Sequence, residues 1–153
     1  MASSGNKRKR YAAVRKRREE ALRAAFVKVL MRSPVKDVRF SEGNRRVSLT
    51  FSGERAAYAI RVQREVYVGH WGRKSGIHID RAMLSRGRGR SFKALAVHEA
   101  IEKFLVERYG LGEDEEAHVV ATAKERQYLK RIGGDWKSHQ TAVYRLWTKL
   151  DGH

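Results

Sequence analysis

The stretch KALAVHEAIEKFL, residues 93–105, decides how the chain is read. Ala94, Val97, Ile101, Phe104 and Leu105 recur at helical spacing and define an apolar stripe. His98 lies one helical step from Ala94, Ile101 and Leu105, and Glu102 follows His98 by four residues, so both polar side chains border that stripe on one face. Glu99 projects about 100° away from His98 and sits beside the pair.

The next helical segment repeats the arrangement. Ala121, Leu129 and Ile132 mark its apolar stripe, and His118 and Glu125, seven residues apart, fall on it two turns apart. Burying an isolated carboxylate costs several kcal/mol unless it is paired or coordinates a cation. Two readings satisfy four such groups. In one, His98, Glu102 and His118 ligate Zn2+ or another divalent metal, with Glu125 as a fourth ligand or as the partner of an imidazole N–H. Glu99 would then be placed to take a proton from a water at the site, which makes a hydrolytic site conceivable. In the other, Glu102 and Glu125 simply accept hydrogen bonds from the two histidines and staple the helices.

Around this core the pattern implies an α+β fold. Periodicity predicts an N-terminal basic helix over about 10–32, ended by Ser33-Pro34, since the residue before a proline is pushed out of the helical region. Residues 35–80 switch to a period of two through RRVSLTF, AAYAIRV, EVYVGHW and GIHID, with SEGN and SGE as turns. That predicts a small antiparallel sheet of four to five strands. Three helices follow, over about 91–109, 113–132 and 136–150; the last is expected to bury Val143, Leu146, Trp147 and Leu150. The domain reading is a basic arm, residues 1–18, and one α+β metal-binding domain, residues 19–153.

Charge is distributed unevenly along the 153 residues. Residues 1–97 carry 25 Lys and Arg against 7 Asp and Glu, whereas 98–153 carry 9 against 10. Lys7, Arg8, Lys9, Arg10, Arg15, Lys16, Arg17 and Arg18 concentrate the excess in the arm, and Arg86, Arg88 and Arg90 form a Gly-Arg loop. Such a field favours a polyanion, nucleic acid or a ribonucleoprotein, and these eleven residues are the expected contacts. The blander alternative is a solvated surface that keeps the chain soluble. Without cysteine there is neither a disulfide framework nor a thiolate metal site. No apolar run reaches membrane-spanning length and no signal-type segment opens the chain, so the expected setting is cytoplasmic, with no membrane partner. The remaining histidines carry less: His78 reads as the solvated face of its strand, and His70 and His139 as packing beside tryptophans.

HEAIE at 98–102 resembles the H-E-x-x-H helix of the zincin metalloproteases with glutamate in place of the second histidine. The order of elements also looks zincin-like, with GIHID as the edge-type strand that aligns a peptide. More specifically, HEAIEKFL followed by EEAHVVATAKE and GGDW is similar to small uncharacterised phage and prophage proteins of zincin-like character. The resemblance covers roughly residues 77–137. It implies ligand roles for His98, Glu102 and His118, a general-base role for Glu99, and a protein or peptide substrate. A carboxylate ligand also lowers the Lewis acidity of a metal, so a structural metal fits the motif as well as a catalytic one. Set against the hydrolase stands a non-enzymatic nucleic-acid- or ribonucleoprotein-binding protein whose His/Glu cluster is only structural.

Overall fold

The computed structural model describes residues 4–85 and 87–151; for Asp151 it describes the backbone alone. The chain forms two compact units, residues 1–32 and 33–153. The described part of the first is a single helix, α1 (Ser4–Arg32), unbroken across the basic run.

The second unit opens with five strands: β1 (Val35–Ser41), β2 (Arg46–Phe51), β3 (Glu54–Gln63), β4 (Gly69–Gly72) and β5 (Gly76–Asp80). They form one mostly antiparallel sheet in the order β1-β2-β3-β5-β4. Three helices follow, α2 (Gly89–Tyr109), α3 (His118–Arg131) and α4 (Trp136–Asp151), completing the α+β architecture expected from the period change.

The turns follow from local chemistry. Ser52 and Gly53, φ 52° and 76°, place both central residues of the β2–β3 turn in the left-handed region, the geometry that matches strand twist. Gly76 opens β5 at φ 81°, where an added Cβ would stand 2.6 Å from the Ala59 carbonyl oxygen, so only glycine fits.

One feature of the sheet departs from a simple meander. β5 pairs with β3 in parallel, through Ile60 opposite Ile77 and Val62 opposite Ile79, and β4 folds back antiparallel on its far side. GIHID is therefore an inner strand, and the edge belongs to β4, GHWG. An inner strand has neighbours on both sides, and Ile77, His78, Ile79 and Asp80 are all buried. The expected solvated face for His78 is thereby corrected: Ser75 and the Glu65 and His70 side chains cover it.

α2 is the central element, packed against the sheet and against α3. Ala94 to Leu105 are buried without interruption, as expected of a helix enclosed on all sides. Phe104 meets Phe51 of β2 edge to face at 6.3 Å, and each large apolar side chain buried here stabilises the fold by about 1.5–3 kcal/mol. Gly110, at φ 66°, ends α2 in the left-handed conformation and returns its N–H to the Leu105 and Val106 carbonyls.

Lys103 fixes the sheet edge to α2. Its stem is buried, and Nζ donates to the carbonyls of Gly72 and Arg73, at 2.5 and 3.1 Å, and to Glu107. The β4–β5 turn is thus held on the helix that carries HEAIE.

Candidate metal centre

HEAIE occupies the middle of α2, where surrounding elements hold its side chains. His98 is buried with both ring nitrogens facing carboxylates: Nε2 lies 3.0 Å from Glu102 Oε2 and Nδ1 lies 2.8 Å from Glu125 Oε1. His118 Nδ1 lies 3.1 Å from the same Glu102 Oε2. Glu102 Oε1 accepts from Trp71 Nε1 of β4 at 3.0 Å, and Glu125 Oε2 pairs with His139 Nε2 of α4.

His98, Glu102 and His118 each offer one ligand atom, and these three atoms lie within 4.8 Å of one another. Glu102 Oε2 is 3.0 and 3.1 Å from the two imidazole nitrogens. Ligands bonded to one tetrahedral zinc at about 2.0–2.1 Å stand about 3.3 Å apart, so the spacing fits a shared ion. The outer partners fit as well. Glu125 engages Nδ1 of His98, which leaves Nε2 as the nitrogen that could ligate an ion, and Trp71 engages Glu102 Oε1, which leaves Oε2 to the histidines.

The electrostatics couple His98 to the two carboxylates that flank it. Burial alone would lower His98, but the hydrogen bonds to Glu102 and Glu125 outweigh it and push the imidazole up to about 10. Burial would raise Glu102 and Glu125; the histidines facing them hold both below the usual carboxylate range. A proton on His98 or a metal ion supplies positive charge at the same place. Glu99 differs: burial drives its carboxyl up to about 8, with the His98 charge opposing and the Glu102 and Glu125 charges reinforcing the rise. Gly69 of β4 lies against it, since a Cβ there would stand 3.3 Å from Glu99 Oε1.

His98, Glu99, Glu125 and His118, though not Glu102, line a cleft of about 890 Å³. Its floor carries His98, Glu99 and Glu125, its rim His118, and its α4 wall Trp136, Tyr144 and Trp147. His118 was expected among the apolar residues of its helix, yet its side chain is 56 % exposed. The reason is the first turn. Residues 113–117 form a π-turn, in which Ala117 N–H reaches the Gly112 carbonyl at 2.8 Å, and α3 proper begins only at His118. Trp147, expected to be buried, is 43 % exposed on the cleft wall, while Leu146 takes the core position.

Two partners escaped the sequence reading. His139, read as packing, is 3 % exposed and bonded to Glu125; its only sequence signal is its place on an amphipathic helix. Trp71 likewise gives no sign in sequence that its indole N–H reaches α2.

The basic residues behave in two ways. Lys7, Arg8, Lys9, Arg10, Arg15, Lys16, Arg17 and Arg18 are exposed along α1. Arg88 and Arg90 are engaged within the fold, donating to the carbonyls of Ala82 at 3.3 Å and Gly133 at 3.1 Å, and Arg86 lies outside the described residues. Among the described residues no helix is long and apolar enough to cross a membrane. No protein-family model matches the chain, and neither a curated protein nor a solved structure matches it.

Proposed function

We propose that this is a zincin-like metal-binding protein, a metal-dependent hydrolase of peptide substrates, with a basic arm that brings it to an anionic partner. The observation that carries the reading is the meeting of His98 Nε2, His118 Nδ1 and Glu102 Oε2, with Glu99 beside them on the floor of an open cleft. His98, Glu102 and His118 would hold the ion. When bound, zinc polarises a carbonyl group and acidifies water.

The chain's own residues supply the rest. Glu125 and His139 orient His98, and Trp71 orients Glu102, so the ligands are set before any ion arrives. Glu99 has no such ligand role, and its carboxyl, raised to about 8, suits a group that takes a proton and returns it near neutral pH. The aromatic wall of α4 suits apolar side chains of a bound chain. β4, half-buried at the edge of the sheet with Gly69 against Glu99, would offer main-chain groups to an extended peptide.

The test is hydrolysis of a mixed peptide library by zinc-loaded protein, beside Glu99→Gln and chelated parent. The expected result is cleavage by the parent that chelator abolishes and that falls about 10²–10⁴-fold in Glu99→Gln with metal content unchanged. Equal cleavage by parent and Glu99→Gln, or none by either, contradicts the hydrolase.

The exposed cations of α1 favour a second reading on their own account: eight of the twelve residues 7–18 are Lys or Arg, and all eight face solvent. That is the footprint of a nucleic-acid- or ribonucleoprotein-binding arm, in which case the His/Glu cluster would be structural.

A further inference from the structure

A second group of ligand-type side chains lies on the β4–β5 hairpin and the loop that leads into it, separate in its residues from the His98 cluster. His70 and His78 are register partners across the antiparallel pair, with rings stacked 4.6 Å apart and within 2° of parallel. Both rings turn a nitrogen towards one carboxylate: His70 Nε2 lies 3.1 Å from Glu65 Oε2, and His78 Nδ1 lies 3.5 Å from Glu65 Oε1. One ligand atom from each residue falls within 4.8 Å of the others.

The surroundings of the three groups suit a cation. The Glu65 side chain is 10 % exposed, and its Oε1 is buried with no hydrogen-bond partner. A carboxylate oxygen taken out of water without a donor is costly, and what faces it is the nitrogen of His78. The other nitrogen of that ring, Nε2, lies 2.7 Å from Ser75 Oγ, which leaves Nδ1 as the ring nitrogen turned to Glu65. The position of Glu65 is itself fixed, because its backbone N–H donates to Asp80 Oδ1 at 2.8 Å while Asp80 Oδ2 caps the turn at Ala82. The His70 side chain is 37 % exposed, which gives an ion a way in from solvent.

We infer that Glu65, His70 and His78 form a second binding site for a borderline divalent ion such as Zn2+, which ties the loop at residue 65 to the sheet edge. Two imidazoles with one carboxylate select zinc, nickel or copper over calcium and magnesium, which take oxygen ligands. The ion would stiffen β4 next to Gly69, the residue lying against Glu99. Its role is structural, and it stands whether or not the His98 cluster binds metal.

The test is calorimetric titration of metal-stripped full-length protein with Zn2+, in the parent, Glu65→Gln, His70→Asn and His118→Ala, with circular dichroism as the check on folding. Glu65→Gln keeps shape and volume, and His70 is partly exposed, so both variants are expected to fold. The expected result is an equivalent of zinc whose affinity falls at least 10-fold in Glu65→Gln and in His70→Asn and is unchanged in His118→Ala. Copper loading of the His118→Ala protein gives an independent readout: its electron-paramagnetic spectrum is expected to carry nitrogen hyperfine structure that changes in His70→Asn. Zinc stoichiometry and affinities equal in the parent, Glu65→Gln and His70→Asn would overturn the site. Loss of zinc only in His118→Ala would also overturn it while leaving the His98 cluster standing.

Discussion

Glu99 and Glu102 are three residues apart on one helix, yet they are pushed in opposite directions. Both are buried, but at Glu102 two imidazoles and an indole N–H outweigh burial, whereas at Glu99 burial prevails, with the His98 charge opposing it and the charges of Glu102 and Glu125 adding to it. A carboxyl whose folded value is raised from 4.5 to about 8 binds more protons in the folded than in the unfolded state across that window. It therefore costs nothing below about pH 4.5, costs progressively more up to about pH 8, and levels off above. In chelated protein Glu99→Gln is accordingly expected to match the parent in Tm at pH 4 and to exceed it by several degrees at pH 8, as read by calorimetry across pH. A Tm difference that stays flat or reverses would show that Glu99 is not held in an unfavourable burial. The local part of this pattern was legible in sequence: His98 and Glu102 at i, i+4 share a face because the helix has 3.6 residues per turn. Side chains arriving from elsewhere were not legible, because Trp71 and His139 are 31 and 14 residues from the carboxylates they bond.

At the level of elements, period and turn chemistry carried most of the fold. The alternation in β2 and β3 and the apolar stripe of α2 appear where they were expected, and Gly110 ends α2. Misread were the places where pairing between distant segments decides the environment. Strand β5 alternates Ile77-His78-Ile79 like a half-exposed strand, but its parallel pairing with β3 makes it an inner one and buries the histidine. The acidic run at 113–116 falls at the start of the helix that the sequence predicts over about 113–132. It forms a π-turn instead, and its like charges at a helix start favour the positive end of the peptide dipoles. Helix α1 carries its own prediction. If its eight exposed cations each neutralise a phosphate, affinity for duplex nucleic acid falls with log salt at a slope of about −7, and deletion of residues 1–18 flattens that slope. Fluorescence anisotropy across a salt series reads both quantities; an unchanged slope after the deletion would assign binding elsewhere.

Across the whole molecule, charge and chemistry are segregated by sequence. The excess of Lys and Arg stops at residue 97, and the next two residues are His98 and Glu99. The stretch that follows, nearly balanced in charge, supplies all five of the groups His98, Glu102, His118, Glu125 and His139, from three helices. Such convergence of buried acids and imidazoles would be a liability to folding unless protons or a metal neutralised it. The most direct measurement is therefore the zinc content and affinity of protein purified without chelator, compared between the parent and His118→Ala. The His118 side chain is more than half exposed, so removing it leaves the core packing in place and tests ligation alone. The predicted result is tightly bound zinc in the parent and a loss of about 10–100-fold or more in affinity for one equivalent in His118→Ala. A parent that carries no metal, or a His118→Ala protein that binds zinc as the parent does, would contradict the metal centre.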